Sequence, residues 1–341
     1  AGLIIGESTS PDHTSAYWQP IMGRLEPATL SAWSRVVEAV HAGGAGFLMQ
    51  LWHPGAMRKV APGHPLAAHP AWSPSGLIQS GRPNGRAMTR DDLEELRRAY
   101  VIAAERAQAL AADGVEIHSA HGYLLDQFLW AETNRREDGY GGRTLAERAR
   151  YSADIVRAIR RAVGEDFVIS YRFSQFKEVD YGATVAAGPE DLGAMLALLR
   201  AAGVDLFNVS SRRYFKPEWP GAHPQLTIAE WARSLTDAPV MTCGSVGLNV
   251  EMFANLFDGE EPTELCIERD LAFLAERVCR KTLDLVGVGR MHIANNDFVS
   301  KVRAGRFEDL ELFNKTRHLA EAMQAIEPGF VEESRKIVEA E

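Results

Sequence analysis

Seven short apolar segments, starting near residues 2, 46, 114, 167, 205, 239 and 284, alternate with stretches of helical periodicity along the whole chain. Such alternation demands a parallel sheet, because a strand followed by a helix can rejoin its neighbour only through a crossover packed on the sheet face. Phe47-Leu-Met-Gln-Leu-Trp52, Gly114-Val-Glu-Ile-His118, Phe167 to Phe173, Leu206 to Ser210, Pro239 to Cys243 and Leu285 to Val288 all read as buried strands. Helices are predicted near 27–42, 89–112, 144–163, 189–202 and 228–235, with more before Leu283; Thr89 is an N-cap followed by acids in the first turn. A closed barrel of this type has eight strands. The expected fold is therefore an α/β TIM (β/α)8 barrel with its first strand apparently missing, since the sequence opens on a buried strand, Ala1 to Glu7, with no lead-in. Residues 1–341 read as one domain with a charged helical tail from about 314.

Composition narrows the function. The formal net charge is −9 and no Lys/Arg cluster offsets it, which argues against a nucleic-acid partner. Cys243, Cys266 and Cys279 are too few and too scattered for a disulfide framework or zinc site, which points to a reducing, cytoplasmic setting. No apolar run approaches the roughly 18 residues that span a bilayer, so a membrane role is not expected. Residues 54–88 are rich in Pro, Gly, Ser and His without periodicity, which suggests a lid or substrate loop.

Catalytic groups of such barrels sit at the C-terminal ends of the strands. The Gly114 strand ends in His118-Ser-Ala-His121-Gly-Tyr123, which offers two imidazoles of tunable charge and a phenol able to give up a proton. Gln50 is polar within an apolar strand and either has a satisfied amide or faces the edge of a ligand ring. Arg172, also within a strand, either pairs with an acid such as Glu116 or faces a ligand whose negative charge it stabilises. Two glycine-bearing strand ends, Cys243-Gly244-Ser245-Val-Gly247 and Gly287-Val-Gly289-Arg290, could cradle a phosphate. Their places after the last two strands match a recurring phosphate site of the fold. The His-x-x-His spacing also fits a metal, but further ligands are scarce and no metal is expected.

Taken together, Gly114 to Phe128, Thr133 to Gly142 with Arg148, Phe47 to His53, Ser210 to Glu218, Gly244 to Gly247 and Val286 to Arg290 resemble the Old Yellow Enzyme family of FMN-dependent ene-reductases. The resemblance implies FMN as cofactor, NADPH or NADH as reductant, and a small α,β-unsaturated carbonyl or nitro compound as substrate. It implies that His118 and His121 hold the substrate oxygen, that Tyr123 protonates the α-carbon, and that Trp52 shapes the pocket. Gln50 and Arg172 would meet the pyrimidine side of the flavin, while Gly244, Ser245, Gly289 and Arg290 would hold its phosphate. Amine demethylation or desaturation on the same scaffold, or a catalytically inactive flavin-binding barrel, are the alternatives; assembly as a homo-oligomer is compatible with any of them. Two departures from the family pattern are expected: the first strand, which would precede Ala1, and Gly6, which stands where relatives commonly have Thr.

Overall fold

The structure, a computed structural model, describes residues 1–18, 22–60, 65–256 and 258–324. Residues divide into two compact units, 1–207 and 208–341.

In the first unit five strands lie side by side in the order Val168–Lys177, Gly114–His121, Gly46–Leu51, Leu3–Pro11 and Gly23–Leu25, each neighbouring pair parallel. The last of these adds a strand to the seven expected. Three residues, Gly-Arg-Leu, carry no readable period, and pairing with Thr9, Ser10 and Pro11 alone makes them a strand. The Gly114–His121 strand, flanked on both sides, is buried at every position, as a strand covered on both faces must be. The opening strand is less covered than expected: Ile4 is 39% exposed and burial becomes complete only over Thr9–Pro11.

Helices Arg90–Ala109 and Arg150–Val163 pack together with buried faces that include Leu93, Leu96 and Tyr100 on one and Ile155, Val156 and Ile159 on the other. Thr89 caps the first as expected: its hydroxyl accepts from the Asp92 N–H, and Asp92 accepts from the Thr89 N–H in return. The helix expected over 144–163 is two pieces, Leu145–Arg148 and Arg150–Val163, the first with its own Thr144 capping box. In the 54–88 stretch, Trp72–Ser73 pairs with Arg86–Ala87 and Leu77–Gln79 with Arg82–Pro83, so its described part is ordered by small ladders and not structureless.

The second unit holds the strand order Leu285–Gly287, Val240–Cys243 and Leu206–Ser210, the last of which begins in the first unit. Helices Ile228–Leu235 and Ile267–Cys279 bury Ile228, Ala229, Ala232, Ile267 and Leu274. The tail expected from about 314 is helical over Lys315–Gln324, and its remainder lies outside the described residues. No helix among the described residues is long and apolar enough to cross a membrane.

Candidate functional site

Register builds the first part of the site. Ser8 stands level with Gln50, Gln50 with Glu116, and Glu116 with Ser170, across four neighbouring parallel strands. Level residues in parallel strands point to the same face, so the four polar side chains form one row. Ser8 Oγ donates to Gln50 Oε1 at 2.7 Å, Gln50 Nε2 donates to Glu116 Oε1 at 2.7 Å, and Ser170 Oγ donates to Glu116 Oε2 at 2.9 Å. The Gln50 amide is thus satisfied on both atoms, with one further N–H on Nε2. Glu116 is fully buried, and Arg172 Nη1 stands 3.9 Å from its Oε1. The Arg172–Glu116 pair expected as one alternative is present, yet the Arg172 side chain as a whole keeps 23% exposure.

Two residues further along, His118 stands level with Arg172. The ring of His118 lies 5.2 Å from that of His121 and 5.4 Å from that of Tyr123, so the three candidate groups come together. Trp52 meets Tyr123 edge-on at 5.1 Å, and Trp18, which sequence reasoning missed, stacks on Trp52 at 5.9 Å. The backbone here is bent out of strand geometry. His121 has φ of 65°, a left-handed value uncommon for a residue with a Cβ, and it is held there from both sides. Its N–H donates to Ser174 Oγ at 2.9 Å and its carbonyl accepts from the Glu178 N–H at 3.0 Å. Next to it, Gly122 N–H donates to Asp126 at 2.6 Å, and Asp126 forms a fully buried ion pair with Lys177 at 2.8 Å.

Burial dominates the electrostatics of this cluster. It pushes His118 down to about 3, with help from the Arg172 charge, and His121 well below its usual range, so both imidazoles are neutral near pH 7. His118 Nδ1 is buried without a hydrogen-bond partner among the described residues. Tyr123 is held above the usual phenol range by burial and by Glu178, to whose Oε2 its hydroxyl donates at 3.1 Å. Burial in turn raises Glu178 to about 7. Glu178 was missed because the strand was expected to end at Phe173; it runs on to Lys177 and carries the carboxylate to the phenol.

The second unit supplies the other candidates. Gly244 has φ of 147°, and a Cβ there would collide with the Ser211 carbonyl oxygen; Ser245 follows at φ of 64°. Arg290 Nη2 donates to Ser245 Oγ at 3.1 Å and to the Val250 carbonyl at 2.7 Å. Gly289 has open space on its side-chain side. Arg213, also missed, donates to the carbonyls of Leu248 and Asn249. Burial lowers Arg290 to about 10, and repulsion from Arg213 adds to the shift. Neither guanidinium forms an ion pair among the described residues, so two cations stand together with hydroxyl and glycine backbone beside them. That donor set fits a phosphate, which would neutralise the pair. By contrast, no group of three or more His, Cys, Asp or Glu among the described residues could hold a metal ion.

Comparisons with known proteins bear on both units. Residues 1–261 match the model of the NADH:flavin oxidoreductase / NADH oxidase family. The chain is 30% identical over 326 residues to an NADH oxidase of Thermoanaerobacter brockii, covering 91% of this chain and 44% of that protein. A putative 12-oxophytodienoate reductase-like protein 1 of Arabidopsis thaliana is 33% identical over 200 residues, covering 58% of this chain and 60% of its own length. The chain thus spans about half the length of these curated relatives. Among solved structures, morphinone reductase in complex with tetrahydroNAD is 26% identical with a TM-score of 0.73, covering 93% of this chain and 81% of its own. Old Yellow Enzyme from Pichia sp. AKU4542 is 25% identical with a TM-score of 0.72, covering 93% and 77%. The fold class is therefore the α/β barrel, as the strand-helix alternation led one to expect. On the match over residues 1–261, the chain belongs to the NADH:flavin oxidoreductase / NADH oxidase family, to which its likeness to Old Yellow Enzyme also points.

Proposed function

We propose that the protein is an FMN-dependent oxidoreductase that passes hydride from NADH or NADPH to the C=C bond of a small α,β-unsaturated carbonyl or nitro compound. The observation that carries this reading is the neutral, partnerless Nδ1 of His118, buried beside His121 and Tyr123. A buried polar nitrogen left without a partner costs stability unless a ligand takes it up. Bound FMN, once reduced by the nicotinamide, would supply the hydride that reaches the β-carbon. His118 and His121 would donate hydrogen bonds to the substrate oxygen, where negative charge then grows, a role worth about 2.7–4 kcal/mol per donor. Tyr123 would give its hydroxyl proton to the α-carbon. In the first unit the second N–H of Gln50 and the Arg172 guanidinium would serve the flavin ring. In the second, Gly244, Ser245, Gly289 and Arg290 would serve its phosphate. Trp52 would wall the substrate pocket. Three cysteines without disulfides support a cytoplasmic setting.

Tyr123→Phe tests the reading, because it keeps the ring's packing and removes only the proton. Reduction of bound flavin by NAD(P)H should survive, while its reoxidation by 2-cyclohexenone should slow by about 10²–10⁴-fold. If the two half-reactions are impaired equally, or neither is, the phenol is not the proton donor; the amine-oxidising or inactive-barrel alternatives then take its place.

A further inference from the structure

We propose that Glu178 resupplies the proton that Tyr123 gives to substrate, so that phenol and carboxyl form a two-member relay; this rests on the ene-reductase reading above. The Tyr123 hydroxyl and Glu178 Oε2 are 3.1 Å apart, in direct hydrogen-bond contact. Glu178 is fixed in place by its N–H, which donates to the His121 carbonyl at 3.0 Å, so the candidate proton donor and its partner hang on the same turn. Among the described residues Glu178 makes no ion pair. The cation beside it in sequence, Lys177, is committed to Asp126 at 2.8 Å, and the Tyr123 hydroxyl is the titratable group that faces the carboxyl. A largely buried carboxyl with no cation is costly as a structural device and useful as a proton carrier.

Contact direction sets the chemistry. When Glu178 is ionised, the Tyr123 O–H donates to it and is engaged there. When Glu178 is protonated, its O–H donates to the phenol oxygen and the Tyr123 O–H is released to face substrate. In the relay the Tyr123 O–H bond breaks as the α-carbon gains its C–H bond. The phenolate then takes the Glu178 proton, and the carboxylate is reprotonated from water. Burial raises Glu178 to about 7, so both forms are present at neutral pH. Glu178 acts through Tyr123 and is in that sense a positioning residue.

The experiment uses the full chain loaded with FMN, as parent, Glu178→Gln, Glu178→Asp and Tyr123→Phe. Flavin reoxidation by 2-cyclohexenone is followed by stopped flow from pH 5.5 to 9. The parent rate should fall about tenfold per pH unit above an inflection near 7. Glu178→Gln should abolish the inflection and slow reoxidation by about 10–100-fold, and Glu178→Asp should restore part of both. Independently of turnover, carbon-13 NMR of labelled Glu carboxyls in the resting protein should show one group titrating near 7 that disappears in Glu178→Gln. This readout also decides the matter if that variant fails to fold, because the parent alone must show the group. Glu178→Gln with the parent rate and inflection, while Tyr123→Phe is slow, overturns the relay and leaves Tyr123 as donor. Tyr123→Phe at the parent rate overturns the proton-donor reading, and the relay with it. No carboxyl titrating above 6 in the parent overturns the relay regardless of rates.

Discussion

Lys177→Met probes what holds the candidate turn. Lys177 and Asp126 are both fully buried, with Nζ 2.8 Å from the carboxylate, and burial works against each charge: it raises Asp126 and lowers Lys177. Removing the ammonium leaves Asp126 with the Gly122 N–H as its remaining neutral donor. Losing one partner of a buried pair costs about 3–5 kcal/mol, because the surviving charge stays desolvated and uncompensated. For the 207-residue first unit that corresponds to a fall of about 6–20 °C in the melting temperature of that unit. The double variant Lys177→Met/Asp126→Asn removes both charges and keeps an acceptor for Gly122, so it should recover most of the loss. Urea and thermal unfolding of the two single variants and the double variant supply the cycle. A single-variant cost under about 1 kcal/mol, or a double variant as unstable as the sum of the singles, would falsify the pair's role as anchor of the turn between His121 and Tyr123.

Arg172→Met should loosen FMN or slow its reduction by NAD(P)H, read by flavin fluorescence on dilution and by stopped flow; parent values in both return Arg172 to a purely structural partner of Glu116. Arg290→Ala should weaken FMN about 10–150-fold, from a charge-assisted bond of about 1.5–3 kcal/mol, and leave riboflavin affinity near the parent value. Equal loss for the two flavins would remove Arg290 from the phosphate. Glu178, raised to about 7 from an ordinary 4.5, holds its proton more tightly folded than unfolded. Its contribution to stability is thus complete below about pH 4 and lost as pH rises through 7, by at most about 3 kcal/mol. Glu178→Gln should gain on the parent by that amount between pH 4.5 and 8 in urea unfolding, and a pH-independent difference between the two would contradict the shift.

Local pattern determined much of this protein. Apolar runs of strand length between helical periods specify a parallel α/β sheet, and Thr89 followed by Asp91 and Asp92 marks a helix start, because periodicity and capping act over a few residues. His118, His121 and Tyr123 were legible as a cluster for the same reason, since they share one strand end. Whatever depends on neighbours distant in sequence was not legible. Register across four strands, and not composition, brings Ser8, Gln50, Glu116 and Ser170 into one hydrogen-bonded row, which let Gln50 and Arg172 be read two ways. Gly23–Leu25 is a strand only through its pairing with the opening strand. Most consequentially, the Val168–Lys177 strand runs past Phe173 because it has a partner as far as His121, and that continuation sets Glu178 against Tyr123. A sequence displays which groups can titrate; only packing decides which of them touch and how much water each one loses.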